Sequence, residues 1–159
     1  MSTGLVLALL FNATCAVICV YAIARGGRPE RAGAAINLVA VGATWALRTI
    51  DAAHLAPADL LILSIDAIVA GSFFWLGIST IRFWPIWAAG FAGADLFMSV
   101  FGALMPHVPL FAYHTGLGIY AYLALGALAL GTLRLPRDAQ PYLRNGSRRL
   151  WVEHRKKMS

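Results

Sequence analysis

One stretch limits the possible folds more than any other: the 23 residues from Phe83 to Met105, nearly all apolar, with an aspartate close to the middle. At 1.5 Å per residue they would form a helix about 34 Å long, enough to cross a hydrocarbon core roughly 30 Å thick. Arg82, Trp84 and Trp87 at its start are residue types expected at a lipid–water interface. The sequence therefore predicts a transmembrane helix with Asp95 near the bilayer centre.

Asp95 lies on a narrow face of this predicted helix that contains only small and polar residues. At helical spacing Ala88, Ser99 and Gly102 fall on the same side as Asp95. An ionised carboxylate at this depth costs several kcal/mol if it is alone. We therefore expect the Asp95 face to point into a helix bundle, where the side chain is protonated, paired or hydrated.

Hydrophobic segments of similar length recur along the chain, which is 60% hydrophobic and only 13% charged. They predict an all-α membrane protein, a bundle of five transmembrane helices, with spans at about 4–24, 32–53, 59–81, 83–105 and 111–133. Residues 1–133 would form the transmembrane domain, and residues 134–159 a basic cytoplasmic tail with a short amphipathic helix. This division leaves no room for a separate soluble catalytic domain.

The distribution of cations predicts the orientation of the five spans. If the loops alternate between the two sides, twelve of the thirteen lysines and arginines fall on one side, the exception being Arg48 within a span. Cytoplasmic loops carry an excess of such residues. We therefore expect a multi-pass protein of a bacterial inner membrane, with its N-terminus outside and its C-terminus in the cytoplasm.

The second span has a polar face, because its polar residues recur at steps of seven, four and three. We expect an intramembrane polar cluster made of Asn37, Thr44, Arg48, Asp51, Asp66, Asp95 and Ser99. Within it, Arg48 and Asp66 would form a salt bridge between the second and third spans. Such a cluster can fix the register of the helices, carry protons or cations, or pair with a charged span of another protein.

Three histidines form a second candidate site, since His54, His107 and His114 are all predicted near the outer surface. Imidazoles bind metals and b-type haem, although no closely spaced histidine motif is present here. Ordinary interfacial histidines explain the three residues more simply. We therefore expect no cofactor, and keep haem or metal binding as an alternative.

The tail from Arg134 onwards contains eight lysines and arginines against two acidic residues, a net charge of +6. The residues expected at the membrane surface are Arg144, Arg148, Arg149, Trp151, Arg155, Lys156 and Lys157. Basic segments of this kind bind anionic lipid at the cytoplasmic leaflet. Docking on an acidic protein partner is the alternative; no nucleic-acid-binding module is recognisable, so we expect no nucleic acid partner.

Two phrases of the sequence resemble small inner-membrane proteins of alphaproteobacteria that have no known activity. These are RFWPIWAAGF from Arg82 and the earlier loop ARGGRPER. The likeness covers about the first hundred residues and implies a bacterial inner membrane but no activity. The length and five spans are also similar to the tryptophan-rich sensory (translocator) family, but its Trp-Asn-Pro-Pro signature is missing, so that family is not adopted.

The sequence contains none of the motifs HExxH, GxSxG, GxxxxGK or CxxC, so we do not expect an enzyme. The small loops, close-packing faces and basic tail predict an accessory or interaction subunit of a membrane assembly, with other membrane proteins or further copies of itself as partners. The alternative is a small proton-linked transporter or channel that uses Asp95, Asp66 and Arg48. A haem- or metal-binding membrane protein is the third hypothesis.

Overall fold

The computed structural model describes residues 3–51, 58–104, 110–136 and 139–158, and within them the chain is entirely helical, without a β-strand. The seven helices are α1 (Thr3–Arg25), α2 (Arg28–Asp51), α3 (Ala58–Ser79), α4 (Trp84–Leu104), α5 (Leu110–Leu133), α6 (Pro141–Asn145) and α7 (Arg148–Met158). The all-helical class predicted from the sequence is confirmed for the described residues.

The five long helices form a ring in chain order. Each packs against the next, α5 returns to contact α1, and α2 also touches α5. The most extensive packing joins α3 to α4 and α4 to α5.

The bounds of the long helices lie close to the predicted spans, except that α2 begins four residues earlier than expected. Pro29 occupies its first turn, where a missing N–H breaks no helical hydrogen bond. Glu30 then reaches back to accept a hydrogen bond from the Gly27 backbone N–H. The predicted ends at Ala53 and Met105 lie outside the described residues.

The buried core lies at one end of the bundle, which we call the tail end. This end contains the α1–α2 loop, the α3–α4 turn and the start of the tail. Among the described residues the core comprises chiefly Cys15, Cys19, Ala22, Ala34, Phe73, Trp84, Ala88, Leu125 and Leu128. All of them lie in the halves of their helices that are nearest the tail end.

The outward surfaces of the long helices are apolar. Val17 and Val20 on α1, and Phe74 and Trp75 on α3, are all mainly exposed. Contiguous apolar surface on this scale is rare in soluble monomers. Among the residues that the structure describes, two helical segments, Val6–Arg25 and Leu61–Ser79, are long and apolar enough to cross a membrane, and Gly118–Leu133 is a shorter apolar segment.

The tail folds back against the tail end as two short helices. Helix α6 ends at Gly146, whose φ of 63° is the left-handed conformation typical of a helix C-terminus. The predicted helix after Asn-Gly-Ser is present as α7, and its Trp151 N–H donates to the Ser147 carbonyl. Helix α6 was not predicted; the Tyr142 ring, on α6, stacks on His154 of α7.

Candidate functional site

A buried carboxylate at the tail end of the bundle contacts residues from two separate parts of the chain. Glu30 is 0% exposed, and its Oε2 accepts a hydrogen bond of 2.9 Å from the Gly27 backbone N–H. Its Oε1 accepts one of 3.1 Å from the Trp84 indole N–H and lies 3.3 Å from Arg82 Nε. We call these four residues the Glu30 network. A buried carboxylate is tolerated when its charge is paired and its oxygens are hydrogen-bonded, and Glu30 meets both conditions.

Local sequence explains why the carboxylate lies there. The Arg31 N–H donates to the Gly27 carbonyl, which makes Gly27 the residue that caps α2. A glutamate three residues after such a cap can bond back to the cap's own N–H, and the helix N-terminus favours its negative charge. The Gly-x-x-Glu spacing therefore builds half of a capping box.

Trp84 occupies a close-fitting site between helices. Its ring meets Phe73 edge-on, with centroids 6.1 Å apart. Gly33 on α2 and Gly131 on α5 lie against the same ring, so that a Cβ at either position would overlap it. Trp84 is 7% exposed and its indole N–H is bonded to Glu30, whereas Trp87 is 54% exposed. The placement of these two residues at a lipid–water interface stays a prediction.

The Glu30 network also holds the tail. Arg82 Nη2 donates to the Leu143 carbonyl at 2.9 Å, and the neighbouring Ile81 N–H donates to the Gly146 carbonyl at 2.9 Å. Arg82 Nε faces Glu30 as a charge contact, without the alignment of a hydrogen bond. Arg82 therefore links the start of α2 to α6, and Ile81 beside it bonds to the segment between α6 and α7.

A second polar site lies between α3 and α4, where two of the predicted intramembrane carboxylates meet. The Ser99 hydroxyl lies close enough to the Asp66 carboxylate to interact with it. Asp95 is close enough to Asp66 for the two charges to interact. Asp95 Oδ1 is buried and has no hydrogen-bond partner among the described residues. Two neighbouring carboxylates in this setting can share a proton or hold a cation between them.

The other members of the predicted polar cluster are placed differently. The Asn37 amide donates to the Gly33 carbonyl on its own helix, near the ring of Trp84 rather than at the carboxylate pair. Thr44 is half-buried on α2. The side chains of Arg48 and Asp51 lie outside the described part of the structure, so the predicted Arg48–Asp66 salt bridge stays a prediction.

The histidine site falls outside the described residues. His54 and His107 lie in the two undescribed loops, and the side chain of His114 on α5 is likewise undescribed. Within the described part of the chain no three His, Cys, Asp or Glu side chains come together as metal ligands would. Metal or haem binding at these histidines therefore stays a prediction.

The basic residues expected at the membrane surface are exposed. Arg144 lies on α6, and Arg148, Arg149, Trp151, Arg155, Lys156 and Lys157 lie on α7. The Arg155 guanidinium sits 5.3 Å from the centre of the Trp151 ring, a cation–π contact within the same helix. Helix α7 therefore presents cations along much of its length.

Within the described residues, the fold and these sites define an all-helical chain with two helices long and apolar enough to cross a membrane, a buried glutamate and a pair of half-buried aspartates. Comparison of the chain with protein-family models, with curated proteins and with solved structures finds no match. No family of known activity is therefore shown, and any function has to be argued from the residues themselves.

Sequence analysis singled out the carboxylates between α3 and α4 but missed Glu30 and its partners. The available signal was the Gly-x-x-Glu spacing beside Pro29, which marks the start of a helix and a reason to bury an acid. The pairing of Glu30 with Trp84, 54 residues later, has no such local signal.

Proposed function

We propose that the chain is a five-span protein of a bacterial inner membrane, with its N-terminus outside and its C-terminus in the cytoplasm. In this proposal α1 to α5 are the five spans. The one-sided distribution of lysine and arginine supports the orientation. The ring of long helices with exposed apolar surfaces supports a lipid environment. The protein would have no catalysis of its own and would work as an accessory or interaction subunit of a membrane assembly.

One observation carries the interaction role: α4 has a glycine face that its own bundle does not use. A Cβ added at Gly90 or Gly93 would meet no atom within 4 Å. Phe97 and Phe101 continue the same face and are exposed, whereas Ala88, on the opposite face, is buried. In membranes small residues at such spacing let a second helix approach closely. A span of a partner, or of a second copy, fits this face of α4.

A photo-crosslinking amino acid in place of Phe97, compared with one in place of Ile119, tests this role. Both positions are more than half exposed, but Ile119 lies on α5 and away from the glycine face. We expect irradiation of native membranes to give a discrete protein adduct from position 97 only. Gly90→Leu with Gly93→Leu should abolish that adduct while expression is maintained. Equal adducts from both positions, or none from position 97, would overturn the proposal.

A second candidate function follows from the carboxylate pair between α3 and α4. An intramembrane carboxylate with a buried, unpartnered oxygen is a natural site for a proton to bind and leave. Asp66, beside Ser99, would be the neighbouring acceptor. On this hypothesis the protein is a small proton-linked transporter or channel that uses Asp95, Asp66 and Arg48.

A further inference from the structure

We propose that the tail end of the bundle holds the phosphate of one anionic phospholipid, in two cavities that adjoin at Arg144. This inference rests on the membrane placement proposed above. It does not depend on the interaction role of α4, because the residues that carry it belong to α1, α2, α5 and α6. The proposal assigns the tail end one defined lipid-binding site, in place of a general electrostatic attraction to the membrane.

The first cavity, of about 540 Å³, lies between the α1–α2 loop and α6. Three arginines line it: Arg28 and Arg31 from the first turn of α2, and Arg144 from α6. All three are exposed, and none of the residues lining the cavity is acidic. A guanidinium binds phosphate oxygens through two parallel N–H groups, so this cavity matches the chemistry of a phosphate group.

The charge of these arginines is available to a ligand. The nearest described carboxylate in sequence, Glu30, turns into the bundle and is occupied by Arg82, Trp84 and Gly27. In the described part of the chain, the side chains of Arg31 and Arg144 contact no carboxylate. The arrangement leaves a concave, positively charged surface beside a buried acid that does not neutralise it.

The second cavity favours a lipid over a free phosphate ion. It measures about 630 Å³ and lies between the ends of α1 and α5, where Arg25 and Arg144 face Ala24, Leu133 and Leu135. An inorganic phosphate ion makes no favourable contact with an apolar wall. A phospholipid does make such contacts, because its acyl chains would continue along the exposed apolar surface of α1 and α5.

The fold fixes Arg144 at the boundary between the two cavities. Leu143 accepts a hydrogen bond from Arg82, and the Asn145 side chain accepts one of 3.3 Å from Arg28. Gly27 lies directly against the Arg144 carbonyl, where no other residue would fit. The backbone of Arg144 is therefore already in place before an anion binds, and only its exposed side chain has to be ordered.

The test is a lipid titration of the purified full-length protein, followed by native mass spectrometry. Phosphatidylglycerol is the anionic probe and phosphatidylcholine the zwitterionic one. We expect wild type to bind one phosphatidylglycerol at least about tenfold more tightly than phosphatidylcholine, and Arg31→Gln with Arg144→Gln to lose that preference. The matched control is Arg148→Gln with Arg149→Gln, which removes the same charge from α7 outside the cavities and should keep the preference.

Three results would overturn the inference. Equal weakening by the two double variants would show general surface attraction, and a preference kept by the cavity variant would exclude these arginines. Displacement of the lipid by excess inorganic phosphate would show a site for a free anion. Arg144→Gln alone, with melting temperature measured beside affinity, separates a lost site from a lost fold. Reporter fusions test the membrane orientation independently of all these outcomes.

Discussion

The indole N–H of Trp84 donates a hydrogen bond of 3.1 Å to the buried carboxylate of Glu30, a residue 54 positions earlier in the chain. This bond joins the two phrases of the sequence, ARGGRPER and RFWPIW, that carry its most distinctive residues. It places the start of α2 against the start of α4 and positions Arg82 to hold the tail. The tail end of the bundle is therefore one connected polar unit within an apolar core.

Glu30→Gln keeps the size of the side chain but removes the charge that faces Arg82. Breaking one partner of a buried ion pair costs about 3–5 kcal/mol, so we expect a clear loss of stability and a lower melting temperature in detergent. Glu153→Gln on the exposed surface of α7 is the matched control and should melt as wild type does. Equal melting temperatures for the Glu30 variant and wild type would contradict the role of the network.

Gly131→Ala and Gly126→Ala place the same methyl group at two positions of α5 with opposite surroundings. At Gly131 the methyl would overlap the ring of Trp84, whereas at Gly126 nothing lies within 4 Å. Overpacking costs about 1–3 kcal/mol, while alanine in an open helical position stabilises by up to about 1 kcal/mol. The melting temperature should therefore fall for Gly131→Ala and rise for Gly126→Ala. Shifts of the same sign would show that Trp84 is not packed as described.

Gly146→Ala should release the tail. The φ of 63° is unfavourable for alanine, and its Cβ would come within 2.6 Å of Pro29 Cγ. We expect trypsin to cleave the tail of this variant faster than that of wild type, because Gly146 can no longer present its carbonyl to Ile81. Ser147→Ala changes the next residue without altering its backbone preference and should be cleaved at the wild-type rate. Equal cleavage of all three proteins would contradict the docking of the tail.

Asp95→Asn tests the transport hypothesis. The amide fills the same space but cannot gain or lose a proton, so proton flux into vesicles loaded with a pH-sensitive dye should be abolished while the fold is retained. Glu153→Gln is again the control and should conduct as wild type does. If wild type carries no protons, or if the folded Asp95 variant conducts normally, the carboxylate pair has no transport role.

The five long helices could be predicted from the sequence because hydrophobic length and short loops set their approximate bounds, whereas α6 was not predicted. The small residues on the Asp95 face of α4 predicted that the Asp95 side chain points into the bundle. The sequence also placed Asp66, Ser99 and Asp95 in one polar cluster, but which of their atoms come together depends on the packing angle between α3 and α4, which no periodicity in one helix contains. The Arg48–Asp66 pair stays a prediction, because the side chain of Arg48 lies outside the described residues; within them, Ser99 lies beside Asp66.

The pairing of Glu30 with Trp84 was missed for a different reason. Membrane topology offers a general explanation for arginine-rich loops and for tryptophans at helix ends. That explanation accounts for the other residues of these segments but not for Glu30, an acid among arginines. A buried glutamate required partners from α4, 54 residues away. Such a pairing becomes visible only when the two helix starts are side by side.

The most direct test of the account is the location of the two chain ends, measured with reporter fusions. Alkaline phosphatase, active only outside the cytoplasm, and green fluorescent protein, fluorescent only within it, would be fused at each terminus in turn. Five spans predict phosphatase activity at the N-terminus and fluorescence at the C-terminus. Both termini reporting the same compartment would mean an even number of crossings and would contradict the account.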